Sequence, residues 1–308
     1  MLKLFKHKFH NSRFKYNRTG GAVWDTEDLL TVEAVQERIG GALRGNKPYL
    51  VGKLGSNEQN LVHWAEGIPS GFPGFSGYVP AYWETMGCFT NAGARPRNKE
   101  SYREISSLFV GALTDLDILP LFKLKGEHEI WKRLSPQAKA CTVDKVYPLN
   151  QDQPDNWTLS LKGKKVLVVS PFEASIQAQY KRRELVWPNG ALPDFELITY
   201  RFPYLVEDDC QLNWKDVYND AAQFIEDNDV EVGLFGCGFM GLLLAHLCKK
   251  KGAVGIHLGG ALQHIFGISC RRHENQKHYS KYINDDWVRP SEDEVPKCAS
   301  RIENACYW

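Results

Sequence analysis

The apolar and polar positions in the second half of the chain follow two alternating patterns. Short apolar runs bounded by Gly, Pro or Asn predict buried strands, and stretches with apolar residues three or four positions apart predict helices. The predicted strands cover 166–169, 196–200, 232–235 and 254–258, and the predicted helices run from the Ser170-Pro171 turn to 183 and cover 216–227, 242–251 and 261–266. Strands that alternate with helices through short Gly-bearing turns indicate an α/β fold with a mostly parallel sheet and helices on both faces.

The first half of the chain carries fewer such signals. A helix, an apolar strand, a glycine turn that opens a helix, a Gly/Pro/aromatic loop and a further helix are predicted at 32–43, 49–54, 55–59, 67–80 and 99–113. The polar segment 150–156 is the one candidate for an internal linker. We expect a single Rossmann-like domain over 21–308, preceded by a basic tail at 1–20, with ligands bound at the carboxyl ends of the strands.

Composition narrows the class of protein without identifying a function. The chain has 308 residues, of which 43% are hydrophobic and 24% charged, and these values exclude disordered and collagen-like chains. No apolar run reaches the roughly 18 to 20 residues that a membrane-spanning helix needs. The eight cysteines form no CxxC pair, so we expect reduced thiols in a cytoplasmic protein and no zinc site.

The net charge of +1 conceals an asymmetry along the chain. Lys and Arg number 38 and Asp and Glu 37, a balance that predicts no nucleic-acid partner. The first 18 residues hold six Lys or Arg and no acid, which leaves 32 basic and 37 acidic residues in the rest. Because Leu and Phe alternate with these cations, the tail is interpreted either as a frayed basic terminus or as a segment in peripheral contact with a membrane.

Three predicted strand-to-helix turns are candidates for a phosphate site. The sequence GCGFMG at 236–241 follows a strand, opens a helix and matches the GxGxxG pattern, whose backbone N–H groups and helix dipole favour a phosphate. A dinucleotide site also needs an Asp or Glu about 20 residues further on, and the chain has His257, Leu258 and Gly259 there, so NAD is not expected. The alternative is that these glycines serve only tight helix–strand packing.

The other two turns have equally open interpretations. Ser175, at the start of the helix after Ser170, is placed to donate to a phosphate oxygen, but a helix cap explains the same residues. In the turn Gly55-Ser56-Asn57-Glu58, Ser56 and Gln59 are spaced as a capping box. Alternatively, the Glu58 carboxylate binds a metal or acts as a base at the end of the strand.

Weaker candidates lie elsewhere. The DxD pattern at 115–117 has the form of a metal site in some sugar-nucleotide enzymes, and the favoured interpretation is two solvated acids near a helix end. His257 and His264 are interpreted either as site residues or as structural histidines. The cluster Arg271-Arg272-His273 fits either an anionic ligand or a solvated surface.

These motifs together resemble a known family. The segment 233–272 (GLFGCGFMGLLLAHLCKKKGAVGIHLGGALQHIFGISCRR) resembles a C-terminal signature of bacterial and viral glycosyltransferases of the GT-D type, in which a Gly-Cys-Gly turn, a helix and a His-x-Gly-Gly-Ala-x-Gln-x-x-Phe-Gly-Ile block follow in order. The segment 161–184 (LKGKKVLVVSPFEASIQAQYKRRE) resembles their middle motif, and 49–59 (YLVGKLGSNEQ) resembles their N-terminal motif, an Arg/Lys-Leu-Gly turn closed by a Glu.

The resemblance implies an enzyme of polysaccharide biosynthesis. Such an enzyme transfers a sugar from a nucleotide sugar, commonly a UDP-sugar, to a glycan or lipid-linked acceptor. In the better-studied branch the first turn reads Asp-x-Glu, and its acids bind Mn²⁺ or Mg²⁺. This chain has Ser56-Asn57-Glu58 there, so the first acid is absent and a metal site would need oxygens from the diphosphate.

The resemblance assigns roles to residues at the predicted turns. Glu58 is the expected catalytic residue, as a base or as a metal ligand. The residues expected to bind the donor are Gly55, Ser56, Asn57, Ser170, Ser175, Gly236, Cys237, Gly238, Gly241, Gly259, Gly260 and Gln263. Those expected on the acceptor side are Tyr82, Trp83 and Arg272.

Two other functions remain open at this point. The GCGFMG turn at 236–241 also suits a nucleotide-dependent oxidoreductase or methyltransferase. A protein of glycan assembly that binds without catalysing would explain the loss of the acid at Ser56.

Overall fold

Seven short strands rich in buried apolar residues pair into one sheet, and all their pairings are parallel. They are β1 (Tyr49–Val51), β2 (Ile118–Leu121), β3 (Lys139–Thr142), β4 (Lys165–Ser170), β5 (Glu196–Arg201), β6 (Val232–Phe235) and β7 (Val254–His257). Their order across the sheet is β3-β2-β1-β7-β6-β4-β5. Because both halves of the chain contribute to this sheet, the predicted α/β fold in a single Rossmann-like domain is confirmed.

The computed structural model describes residues 21–25, 27–68, 93–96, 98–147, 156–206, 211–274 and 277–308. The predicted tail 1–20, the acceptor-side candidates Tyr82 and Trp83, and the predicted linker up to 155 lie outside the described residues. Asn156, the last residue of that linker, is buried and caps a short 3₁₀ turn through the amide of Thr158.

The helices begin where capping residues precede amphipathic stretches, as at Thr31, Asn98 and Asn213, whose side chains accept backbone N–H groups. They are α1 (Val32–Arg44), α2 (Ser56–Ala65), α3 (Lys99–Leu113), α4 (Glu127–Leu134), α5 (Glu173–Lys181), α6 (Arg183–Val186), α7 (Trp214–Asp227), α8 (Met240–Lys250), α9 (Ala261–Ile265), α10 (Arg271–Glu274) and α11 (Lys277–Ser280). Within the described ranges, none is both long and apolar enough to cross a bilayer.

Alternate residues of each strand supply two hydrophobic cores, one on each face of the sheet. Leu167 and Val169 of β4 belong to the core that includes residues of α3, α7 and α8. Val166 and Val168 belong to the other core, which α1, α5 and α9 cover. Since both faces are covered by helices, the strands are apolar on both sides, which is why they read as continuous apolar runs.

Two strands were not predicted. The run Ile118–Leu121 contains Pro120, which lacks a backbone N–H and argues against a strand inside a sheet. The strand Lys139–Thr142 is four residues long and has only two buried positions. Both lie on the β1 side of the sheet, so the apolar patterns predict the centre of the sheet but not this flank.

The DxD pattern lies at the amino ends of the strands, away from the predicted site. Asp117 accepts the N–H of Leu50 at 2.7 Å and pairs with Lys249 Nζ at 2.9 Å. Asp115 lies 3.2 Å from Lys249 Nζ and 3.2 Å from His246 Nε2. The two acids lie near a helix end, as predicted, but they are only partly solvated, because these ion pairs tie α8 to the start of β1 and β2.

Helix α8 approaches the sheet too closely for any side chain at Gly241. An added Cβ there would lie 2.4 Å from Cδ2 of His257, which ends β7 and is itself buried. We expect Gly241→Ala to lower the free energy of unfolding by about 1–3 kcal/mol through this overlap. Urea denaturation followed by circular dichroism measures it.

Gly111→Ala is the matched control, because Gly111 lies in α3 and its nearest atom to an added Cβ is His246 Cε1 at 3.9 Å. The helix preference of Ala over Gly should leave this variant unchanged or more stable, by up to about 1 kcal/mol. Equal effects of the two substitutions would contradict the packing argument.

Candidate active site

Four turns that are distant in sequence lie side by side at one edge of the sheet. Strands β1, β7, β6 and β4 are neighbours in that order, and the carboxyl ends of parallel strands meet at the same edge. The turns after them, 52–55, 258–260, 236–239 and 171–172, form what we call the carboxyl edge. All three motifs that carry the family resemblance therefore reach this edge.

The turn after β1 brings Glu58 back over Gly55. A Cβ at Gly55 would lie 2.3 Å from Glu58 Oε2, so the carboxylate rests against the backbone of the turn. The predicted capping box is wrong: Gly55 is the N-cap of α2 and no side chain caps it. Gln59 instead points inward, and its amide donates to the carbonyl oxygen of Leu54 at 3.2 Å. Asn57 Oδ1 is buried and has no hydrogen-bond partner among the described residues.

Lys53 also lies in this turn, although it was not among the predicted site residues. Its ammonium donates to Tyr147 Oη at 2.9 Å and lies 4.7 Å from the centre of the Phe122 ring. A Cβ at Gly259 would lie 3.3 Å from Lys53 Nζ, so the cation also borders the turn after β7. The available signal was its place in the Lys-Leu-Gly motif, whereas Tyr147 comes from a segment with no motif.

His257 joins the ends of β7 and β1. Its Nδ1 lies 3.2 Å from the carbonyl oxygen of Lys53, an acceptor, so Nδ1 carries the proton in the neutral ring. Burial, and then the charge of Lys53, lower the pKa of His257 to about 3. The imidazole is therefore neutral near pH 7, and its contacts are those of a structural histidine.

The glycine pattern at 236–241 is explained largely by packing. A Cβ at Gly236 would lie 2.8 Å from Leu262 and 3.0 Å from the carbonyl oxygen of Gly259. Cys237 is buried, and burial raises the pKa of its thiol. Gly238 has a φ of +63°, which favours glycine, and it is the exposed residue of the turn. Packing within the chain thus explains most of this motif. Gly238 is the exception, because it is exposed and its backbone is accessible to a ligand.

The turn after β4 already holds an anion from the chain itself. The buried carboxylate of Glu294 accepts the N–H groups of Ala174 and Ser175, at 2.7 and 3.2 Å, and the hydroxyl of Ser175. Ser170 Oγ accepts the N–H of Phe172 at 3.2 Å. Glu294 therefore occupies the place at the start of α5 that was predicted for a phosphate.

The turn after β7 is covered by Tyr307. A Cβ at Gly260 would lie 2.6 Å from the Tyr307 ring, and Gln263 Nε2 donates to the carbonyl oxygen of Tyr307 at 3.0 Å. Arg272 donates to Tyr307 Oη at 3.1 Å, and its guanidinium lies 4.7 Å from the ring centre. The predicted donor-side residues Gly260 and Gln263 and the predicted acceptor-side residue Arg272 thus all contact Tyr307, which belongs to no predicted motif. Gln263 Oε1 is buried without a hydrogen-bond partner in the described part of the chain.

The residues at the carboxyl edge do not by themselves fit a divalent cation. A hard cation takes several carboxylate or carbonyl oxygens, and the described residues contain no cluster of three or more Asp, Glu, His or Cys side chains that could hold a metal. Ser56 supplies no charge beside Glu58, and the nearby Lys53 opposes a cation. Mn²⁺ or Mg²⁺ would need oxygens from a bound ligand.

The depressed pKa of His257 makes stability depend on pH. The unfolded ring has a pKa near 6.5 and the folded ring near 3, so the unfolded state binds an extra proton between these values. The free energy of unfolding is therefore unaffected by His257 above about pH 6.5. It falls by up to about 1.4 kcal/mol per pH unit as the pH drops from there toward 3, because the unfolded ring takes up a proton that the folded ring does not. His257→Asn retains a side-chain N–H and does not titrate.

We therefore expect the free energy of unfolding of the wild type to fall more steeply than that of His257→Asn between pH 6.5 and 4.5. Urea titrations at several pH values measure this difference, because the other titrating groups are common to both proteins. Parallel curves would show that His257 titrates normally in the folded state.

The candidate site is inferred from this geometry and from the sequence motifs. The chain matches no protein-family model, and neither the curated proteins nor the solved structures include a significant match to it.

Proposed function

We propose that the chain is a glycosyltransferase that moves a sugar from a nucleotide sugar, a UDP-sugar in the first instance, to a glycan or lipid-linked acceptor. One observation carries the proposal: the three resembling motifs end in turns after adjacent strands, at the edge where α/β proteins bind ligands. Lys53 and Glu58, a cation and a carboxylate from the same turn, border that edge.

The leaving group of the reaction is a nucleoside diphosphate, whose charge grows as the sugar departs. We place the diphosphate between the Gly55 and Gly259 turns, where Lys53 lies. A positioned ammonium group stabilises such charge without reorganisation. Gly238 offers an exposed backbone for a further contact, whereas the start of α5 is excluded while Glu294 occupies it.

Glu58 is proposed as the general base. The acceptor hydroxyl oxygen attacks the anomeric carbon, the bond from that carbon to the diphosphate oxygen breaks, and its electron pair leaves with the nucleoside diphosphate. The hydroxyl proton passes to the Glu58 carboxylate. If a metal is used, the same carboxylate would be its protein ligand, together with diphosphate oxygens.

The acceptor side stays a prediction from sequence. Arg272 and Tyr307 lie beside the Gly260 turn and offer a cation and an aromatic face, which suits a sugar ring. Contact of the basic tail 1–20 with a membrane that carries the acceptor, and a cytoplasmic location, likewise remain predictions.

Glu58→Gln is expected to reduce transfer by at least about 100-fold, because it removes the base and keeps the shape of the side chain. Sugar transfer or donor hydrolysis over a panel of nucleotide sugars measures this loss. Glu66→Gln, at the exposed carboxyl end of the same helix, is the matched control and should retain activity. Near-normal turnover by Glu58→Gln would refute the assignment.

Lys53→Met keeps the length of the side chain and removes its charge. We expect this variant to bind UDP about tenfold more weakly or worse, with no change for uridine, because only UDP carries the diphosphate. Calorimetric titration of UDP, GDP and dTDP, with and without manganese, measures nucleotide choice and metal dependence together. Lys139→Met removes an exposed cation at the amino end of β3 and serves as control.

The same titration separates the rival functions. Binding of NAD or S-adenosylmethionine without UDP would favour an oxidoreductase or a methyltransferase. Nucleotide binding without transfer or hydrolysis would favour a non-catalytic protein of glycan assembly. Equal affinity of wild type and Lys53→Met for UDP would remove Lys53 from the site.

A further inference from the structure

A buried carboxylate lies behind the turn that carries Lys53 and Glu58. Glu127, the first residue of α4, is 3% exposed and belongs to no motif that the sequence analysis selected. It contacts two segments at once, namely the loop 122–126 after β2 and the start of α2. We propose that Glu127 is a positioning residue that couples these segments and so holds Lys53 and Glu58 in one arrangement.

The first half of the coupling is the loop after β2. Glu127 Oε1 accepts the N–H of Phe122 at 3.2 Å, and Oε2 accepts the N–H of Leu124 at 3.0 Å. Between them, Lys123 has a φ of +57°, a conformation that costs energy for a residue with a side chain. The carboxylate therefore holds the loop in a shape that it would otherwise leave. That shape places the Phe122 ring 4.7 Å from Lys53 Nζ.

The second half of the coupling is Gln59. Its Nε2 donates to Glu127 Oε1 at 2.9 Å and to the carbonyl oxygen of Leu54 at 3.2 Å. Leu54 stands between Lys53 and Gly55, and Gln59 follows Glu58 in the first turn of α2. One carboxylate is thus connected to the backbone of the Lys53 turn and to the aromatic ring beside the Lys53 ammonium.

Burying the Glu127 carboxyl group costs free energy, which supports a role for this residue beyond packing. Burial raises the pKa of Glu127 to about 7, and its hydrogen-bond donors are backbone amides and the Gln59 amide. A carboxylate kept in such a place is expensive unless each oxygen is well hydrogen-bonded. An apolar residue would fill the space, but it would accept a hydrogen bond from none of these donors and would release both segments.

The coupling is tested by hydrogen exchange, which needs no ligand. In Glu127→Gln, we expect backbone amides in both 52–60 and 122–127 to exchange about tenfold faster or more, because an NH₂ group replaces one of the two acceptor oxygens. In Gln59→Met, only the 52–60 segment should change. Thr158→Val, which removes a buried hydrogen bond to Ala191 elsewhere in the fold, should change neither segment. Mass spectrometry of peptic fragments resolves these segments.

The positioning role, which rests on the proposed function, is tested by UDP and uridine titrations of the same variants. Glu127→Gln and Gln59→Met should weaken UDP binding about tenfold and leave uridine binding unchanged, while Thr158→Val should alter neither. Unchanged exchange in 52–60 of a folded Glu127→Gln protein would overturn the coupling. Faster exchange with unchanged UDP affinity would overturn the positioning role and leave the proposed function intact.

Failure of the proposed function gives a different result. If the wild type binds neither UDP nor another nucleoside diphosphate, the transferase proposal and the role of Glu127 toward a donor both fall. The exchange data then still decide whether Glu127 couples the two segments.

Discussion

The contact between helix α8 and strand β7 fixes the geometry on which the candidate site depends. In the middle of β7, a Cβ at Gly255 would lie 2.0 Å from the carbonyl oxygen of Ala245, so the helix backbone rests directly on the strand backbone. Because α8 begins at Met240, right after the turn that follows β6, this contact sets the distance between the β6 and β7 turns. The ion pairs of Lys249 with Asp115 and Asp117 hold the other end of the helix against β1 and β2.

This packing changes the meaning of the glycine motif. In dinucleotide-binding folds, one glycine of a GxGxxG turn serves close helix–strand packing and another lets a phosphate approach. Here Gly236 and Gly241 contact the β7 turn and His257, so two of the three glycines are explained by contacts within the chain. The close approach also brings the Gly259 turn beside Lys53, where a ligand would meet both strands. The motif is therefore explained mainly by packing, and it does not identify a ligand.

Local patterns predicted the centre of the fold because each buried strand and each amphipathic helix is visible in its own residues. They failed at β2, where Pro120 interrupts an apolar run that is nonetheless paired on both sides. The candidate site divides in the same way. Gly55 and Glu58 stand in one motif, whereas Tyr147 and Tyr307 reach the site from segments with no motif, through contacts that depend on the assembled sheet. No spacing rule relates residues 94 positions apart, as Lys53 and Tyr147 are.

The distribution of charge along the carboxyl edge decides where an anion can bind. At the start of α5, the backbone N–H groups already donate to Glu294, whose carboxylate is fully buried. A diphosphate placed there would meet that negative charge in a medium of low polarity, which strongly opposes binding. At the β1 and β7 turns, Lys53 supplies a cation beside Gly259, the His257 ring is neutral, and the Glu58 carboxylate lies against Gly55. The proposed diphosphate would therefore lie on the side of the edge that holds Lys53. In the proposed reaction, leaving-group stabilisation by Lys53 and proton transfer to Glu58 would then both come from the segment that follows β1.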